Sequence, residues 1–361
     1  MKKLLSLLLV TLMVIGLFTA CSGSSKSKEK LTSTQDKAAQ TDTNTAEGNS
    51  VGSDAKESDT EAAAEKPFKI GIVQHVDHPS LNQIRETIIS ELKALGYGED
   101  KVVIDFQNAN GDASLLPTIM QDMISNQVDM IIPIATPTAQ AAMAATTEVP
   151  IVFSAVSNPV EAGLVTSFEE TTGNITGVSN SIAIEDIFAL AAQLTPEVKT
   201  FGFLYNSSEI NSATGIERAK KYCDANSIAY KEVTITGTAD LQQAASSLIG
   251  EVDAFFTPND NTVASAMPTY LQVAMEANLP IYVGADSMVK DGGLATVGID
   301  YTVLGKQTAA MAIRIMNGED IADNYVEQIA EYAKMINQKS ADQLGITVPD
   351  ALKDEFVVLG E

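Results

Sequence analysis

From residue 67 onward, short apolar runs alternate with amphipathic stretches of helix length, and partway along the chain that pattern starts again. Phe68–Gln74 reads as a strand, and Ser80–Leu95 as a helix with Ser80 and Gln83 spaced as a capping box. Val102–Gln107 follows as a strand, Leu115–Asn126 as a helix, Met130–Ile134 as a strand, Thr138–Thr146 as a helix and Ile151–Ser154 as a strand. Such alternation builds parallel sheets with helices on both faces. The restart is visible in three echoes. Phe201–Asn206 mirrors Ile70–His75 at an offset of 131. Val128-Asp129, Thr138 and Ala142 are matched by Val252-Asp253, Thr262 and Ala266 at an offset of 124. Pro150-Ile151, Ala155 and Ser157 are matched by Pro280-Ile281, Ala285 and Ser287 at an offset of 130. Their common order predicts an α/β chain of two Rossmann-like lobes with parallel sheets and a ligand cleft between them. The competing explanation is the general likeness of all parallel-sheet strands.

Charge narrows the partners. The chain has 23 basic and 47 acidic residues. With two lysines in the first 21 residues, and six lysines and nine acids in residues 22–66, residues 67–361 keep 15 basic and 38 acidic residues. Nucleic acid is a poor partner for that surface, and solubility accounts for the acidity. Of the two cysteines, Cys223 falls in a helical stretch with Ile216, Ala219 and Tyr222 and is expected to be a small buried thiol. No disulfide framework supports the fold.

In open parallel sheets, ligands sit beyond the carboxyl ends of the strands. The cleft is therefore expected between loops 75–80, 108–112, 134–138 and 154–158 of one lobe and 206–212, 236–238, 258–262 and 284–287 of the other. These loops are rich in Asn, Ser, Thr, Asp and Pro, which suits a small polar or zwitterionic ligand. His75 and His78, with Asp77 between them, are an incomplete zinc set; a contact to ligand or a loop fixed by Pro79 are the other readings of His78. From residue 67 onward no Gly-x-Ser-x-Gly elbow, phosphate loop or dinucleotide fingerprint is present, so catalysis and a resident cofactor are not expected.

The N-terminus sets the compartment. Lys2 and Lys3 precede an apolar run, Leu4–Phe18, too short for a comfortable membrane span. Leu17-Phe18-Thr19-Ala20-Cys21 resembles the lipobox of bacterial lipoproteins, with Phe18 where that pattern favours Leu. The expectation is a signal peptide over 1–20 and an acylated Cys21 that anchors the chain outside the cytoplasmic membrane; plain secretion is the alternative. Residues 22–66, with Leu31 and Val51 almost their only large apolar residues, are expected to be a disordered tether reaching roughly 35–40 Å.

The folded part resembles substrate-binding proteins of ABC importers with the type I periplasmic-binding (Venus-flytrap) fold, and within them the group that binds tryptophan or tyrosine. The likeness rests on His78-Pro79, Asn108–Asp112, Ile134–Ala139, Phe153–Pro159, Leu204–Glu209, Pro258–Thr262 and Val297–Tyr301. It implies a ligand carboxylate held by Thr136 and Thr138 at a helix start, with Ala155 and Ser157 as backbone and hydroxyl partners. It also implies an ammonium held by Asp260, or next by Asp286. Thr138 and Asp260 are equally apt as helix N-caps. His78, Asn110, Ser154, Tyr205, Asn206, Ser207, Asn259 and Asn261 complete the expected site. The implied lobes are 67–176 plus 298–325 and 177–297 plus 326–361. The implied ligand is an aromatic amino acid, tyrosine first, delivered by a monomer to a permease and an ATPase. A surface adhesin or receptor, or a binder of another small polar ligand, are the alternatives.

Overall fold

The computed structural model describes residues 66–171 and 173–359. Cys21, the leader and the tether up to residue 65 lie outside them. The first run of elements is β1 (Phe68–Gln74), α1 (Pro79–Ala94), β2 (Val102–Asn108), α2 (Leu116–Ser125), β3 (Met130–Ile134), α3 (Thr136–Ala145), β4 (Ile151–Ser154) and β5 (Ile175–Ser179). The second is α4 (Ile184–Leu194), β6 (Thr200–Asn206), α5 (Ile210–Asn226), β7 (Ala229–Ile235), α6 (Leu241–Ser247), β8 (Ala254–Thr257), α7 (Asn261–Ser265), α8 (Met267–Glu276), β9 (Ile281–Val283), α9 (Asp286–Lys290) and β10 (Ala295–Gly298). The remainder supplies α10 (Tyr301–Met316), β11 (Glu327–Gln328), β12 (Ala333–Asn337), α11 (Gln338–Gln343), α12 (Asp350–Lys353) and β13 (Phe356–Leu359).

The strands form two sheets, ordered β11-β5-β4-β3-β1-β2 and β13-β12-β10-β9-β8-β6-β7. The order β5-β4-β3-β1-β2 recurs as β10-β9-β8-β6-β7, so the echoes in sequence reflect one plan used twice. β1 pairs in parallel with β2 and β3, and β6 with β7 and β8. The plans diverge at one edge, where β11 runs parallel to β5 but β12 antiparallel to β10.

Central strands are apolar because helices cover both of their faces. Ile70, Ile72 and Val73 of β1 and Phe203 and Leu204 of β6 are fully buried. The second lobe is the more aromatic, with the Phe188 ring 4.9 Å from that of Phe201 and 4.8 Å from that of Phe256. Cys223 is buried in that cluster, and burial pushes its thiol up to about 12, so it packs and does not react, as its helical neighbours predict.

The chain crosses between the lobes at 180–183, 299–300 and 329–332. β5 stays with the first sheet through Ser179, and β11 belongs to it too, so the first and third crossings come later than the expected lobe limits at 176 and 325. After the second crossing α10 packs along α1. Gly305 permits this approach: a Cβ there would lie 2.7 Å from Cβ of Thr87. The start of α1 also differs from the capping-box reading. His78 is the N-cap and Pro79 opens the helix. Ser80 and Gln83 reach out instead, to Ser287 and Thr302. Among the described residues no helix is long and apolar enough to cross a membrane.

Candidate functional site

Where the ends of β1, β4, β6, β8 and β9 face one another, the two lobes close on a void of only about 20 Å3, far below the roughly 300–1,000 Å3 of ligand sites, so the cleft is shut down on its own lining. His78, Ser80 and Leu81 at the start of α1 line it, with Ala155, Ser157, Asn180 and Tyr301. The second lobe contributes Asn211, Asn259, Asp260, Asn261, Ala264, Ala285 and Met288.

The lobes are bonded directly across this cleft. Ser80 Oγ donates to Ser287 Oγ at 2.6 Å, and Asn259 Nδ2 to Ser157 Oγ at 2.6 Å. His78 Nε2 lies 3.4 Å from Asn261 Oδ1. Ser157 and Ser287 are the matched serines of the internal echo, and each bonds to the opposite lobe. The close approach of the β9–α9 turn to the Pro258-Asn259 backbone needs Gly284, where a Cβ would collide with that backbone.

The electrostatics of the cleft are one-sided. Asp260 is fully buried and caps α7 by accepting from Val263 N at 2.8 Å; it also accepts from Asn206 N at 2.6 Å. Capping and cleft lining thus coincide in this residue. Burial, then the nearby Glu209 charge, push its carboxyl up to about 7. Glu209, 2 % exposed, accepts from Asn261 N at 3.1 Å, Thr262 N at 2.9 Å, Thr262 Oγ1 at 2.8 Å and Asn261 Nδ2 at 2.5 Å. Among the described residues neither carboxylate forms an ion pair with Lys or Arg. Burial pushes the His78 imidazole down to about 4, so it is neutral. Because Asn261 Nδ2 is committed to Glu209, its Oδ1 faces His78 as an acceptor, which assigns the proton to Nε2 and leaves Nδ1 an acceptor.

The buried polar atoms that line the void and have no partner among the described residues share one sign. His78 Nδ1, Asn211 Oδ1 and Asn259 Oδ1 are buried acceptors lining the void. A buried polar group left without a partner costs roughly 1–3 kcal/mol, so this set favours a molecule rich in N–H donors. The opposite polarity comes from α1, which no side chain caps. Its first-turn N–H groups at Ser80 and Leu81 suit an anion. Leu81, Ala264, Ala285 and Met288 add an apolar wall.

Of the residues expected from sequence, the structure brings His78, Ala155, Ser157, Asn259, Asp260 and Asn261 to the void. It does not bring the others. The Thr138 hydroxyl lies 2.7 Å from both the Ile134 and Ala135 carbonyls and is turned into its own helix start. Thr136 is buried beside it, away from the lining. Ser154 Oγ bonds Thr308 Oγ1 at 2.8 Å inside the first lobe. Asn110 and Ser207 are exposed. Tyr205 packs in the core of the second lobe, and Asn206 braces the Asp260 loop through its N–H and its bond to Thr262. Asp286 is tied to Lys290 at 2.7 Å. Ser80, Glu209, Asn211 and Ala285 fall in loops expected at the cleft but were not singled out, and sequence reasoning missed Leu81, Asn180, Ala264, Met288 and Tyr301. The echo of Ser157 at Ser287 was a usable signal for the cross-lobe bonds; the burial of Glu209 had none.

The sequence of residues 69–356 matches the family model "ABC transporter substrate binding protein". A tyrosine-binding protein of Clostridioides difficile (strain R20291) is 35% identical over 344 residues, covering 95% of this chain and 92% of that one. Among solved structures, an ABC domain from Streptococcus pneumoniae in complex with L-Trp is 37% identical, with a TM-score of 0.79 over 81% of this chain and 100% of that chain. The ligand-free, open structure of a substrate-binding protein with adhesive properties from Clostridium difficile is 35% identical, with a TM-score of 0.62 over 81% and 99%. The stronger match to the complex agrees with the closed cleft and its cross-lobe bonds. The chain has the type I periplasmic-binding fold and belongs to the ABC transporter substrate-binding protein family.

Proposed function

We propose that this protein captures an aromatic amino acid, tyrosine foremost, outside the cell and hands it unchanged to the permease and ATPase of an ABC importer. The observation that carries the reading is the polarity of the cleft. Buried acceptors and two buried carboxylates stand on the second lobe at Asn211, Asn259, Asp260 and Glu209, and uncapped N–H groups stand on the first lobe at the start of α1, beside the neutral His78. An α-amino acid headgroup carries a matching ammonium and carboxylate. In this reading the ammonium sits against Asp260 and the orphaned acceptors, and the carboxylate faces Ser80 and Leu81, in place of the Thr136–Thr138 site expected from sequence. The aromatic side chain lies on the apolar wall. The preference for aromatics leans on the relatives, one named for tyrosine and one holding L-Trp. The order among them rests on the phenol: the Asn and Ser side chains around the void suit a hydroxyl, and a site that bonds it rejects phenylalanine strongly. Binding without turnover is part of the proposal.

The same proposal includes an acylated Cys21 holding a monomer on the outer face of the cytoplasmic membrane by a tether through residue 66; membrane retention of a processed Cys21→Ala variant contradicts it. A second reading, adhesion, is favoured by the adhesive properties named for one relative. Cell attachment that persists under saturating L-tyrosine supports it as a separate role. The main reading is tested by thermal-shift screening against the twenty amino acids, because a ligand that binds only the folded state raises the melting temperature. Tyrosine, tryptophan or phenylalanine should give the largest shifts; no shift with any of the three rejects the proposed ligand class.

A further inference from the structure

Asn211, Asn259 and Asn261 all line the void from the second lobe, and each has its Nδ2 already committed. Asn261 Nδ2 donates to Glu209 Oε2 at 2.5 Å. Asn211 Nδ2 donates to Glu209 Oε2 and to the Asn259 carbonyl, both at 3.2 Å. Carboxylates and carbonyls only accept, so these two carboxamides are fixed from within their own lobe. Asn259 is held differently. Its Nδ2 donates across the cleft to Ser157 Oγ at 2.6 Å, and Ser157 Oγ donates in turn to Asn180 Oδ1 at 3.1 Å, at the first crossing. Among the described residues Asn259 Nδ2 has no acceptor in its own lobe, and Asn259 Oδ1 is buried without a partner. A carboxamide that turns over exchanges acceptor for donor with almost no change of shape. The end of Asn259 that faces the void is therefore decided by the opposite lobe. The same two bonds use the one O–H of Ser157 on Asn180, which leaves it no proton for a ligand carboxylate, the role its resemblance implies.

We propose that Ser157 is a positioning residue: on closure it turns Asn259 so that Oδ1 accepts from the ligand's ammonium, and it thereby sets the selectivity of the shut cleft for amines. The inference rests on the amino-acid reading of the cleft and adds the residue that sets its preference for an amine. Asp260 draws positive charge from within the second lobe in any position of the lobes. Asn259 adds a directed acceptor only once the lobes meet. Selection of the amine beyond its charge is then a property of the closed state, and it shows in release more than in capture.

The test compares L-tyrosine with its deaminated analogue, 3-(4-hydroxyphenyl)propanoate, by calorimetric titration and stopped-flow on the parent, Ser157→Ala and Ser157→Thr. The parent should prefer tyrosine. Ser157→Ala should narrow that preference by about tenfold, as expected for a hydrogen bond to a charged group, through faster release of tyrosine at an unchanged capture rate. Ser157→Thr keeps the hydroxyl and should restore most of the preference. The side-chain NH2 protons of Asn259 should be protected from exchange in the tyrosine complex of the parent and unprotected in that of Ser157→Ala. An equal loss of both compounds in Ser157→Ala makes Ser157 a mere tie between the lobes and overturns the proposal. Unchanged or tighter tyrosine binding by that variant overturns it too, and either result leaves the amino-acid reading standing. A parent that binds tyrosine no better than the analogue removes the amine reading, and Ser157's role with it.

Discussion

His78 and Asp260 face each other's surroundings from opposite lobes, and burial moves their titrations in opposite directions, each toward its neutral form. The folded-state imidazole of His78 titrates at about 4, below its ordinary 6.5, so on acidification the unfolded chain takes up this proton first. The stability it contributes is present above pH 6.5 and is lost as pH falls toward 4, by about 3 kcal/mol for a shift of this size. Asp260 does the reverse. Its raised folded pKa gives a contribution that is full below 3.8 and is lost as pH rises through about 7. Between pH 4 and 6.5 the two offset, so the parent should be nearly flat there. His78→Gln should become more stable relative to the parent as pH falls from 7 to 4. Urea unfolding of both proteins across that range checks this; a parent-to-variant difference that does not change with pH contradicts a neutral buried imidazole at position 78. At this scale the sequence was only half legible. Asp260 and Asn259 could be placed because cap chemistry and a loop after a strand coincide. Thr138 could not, because nothing local shows whether a helix-start hydroxyl turns to solvent or back onto the Ile134 carbonyl.

The pairing of α10 with α1 is the least local contact of the first lobe, since α10 arrives only after most of the second lobe has been traversed. Gly305 is what makes it close, with Thr87 of α1 in the space a side chain would need. Gly305→Leu should destabilise the folded chain by about 1–3 kcal/mol through overpacking, read as a lower denaturant midpoint at unchanged slope. An unchanged midpoint would mean that α10 rests on α1 more loosely than described. Elements themselves were well marked in the sequence. β3 and β4 have the expected limits because Pro, Asp and Asn bound their apolar runs. Helix starts were less legible: α1 begins at Pro79, where proline's missing N–H costs nothing, so the serine after it is free for another lobe. Lobe crossings were placed a few residues early because a strand's last residues carry no sign of which sheet they finish in. Loops 108–112 and 236–238 were overrated as cleft walls, since β2 and β7 prove to be edge strands.

As a whole the molecule is one strand order used twice, joined by three crossings and closed by bonds that its own internal symmetry supplies. Ser157 and Ser287, equivalent in the two lobes, each reach the opposite lobe. Closure brings acceptors and carboxylates from the second lobe over the uncapped start of α1 from the first, so neither lobe alone can satisfy a zwitterion. Hinge closure around a ligand therefore follows from where the charges sit. That two-sided recognition is the central claim, and titration of L-tyrosine into the parent and into Asp260→Ala tests it most directly. The parent should bind one tyrosine and bind it more tightly than phenylalanine. The variant should lose on the order of 2–5 kcal/mol against every amino acid that the parent binds, as expected for one side of a buried charge pair. Undiminished binding by Asp260→Ala would contradict the claim.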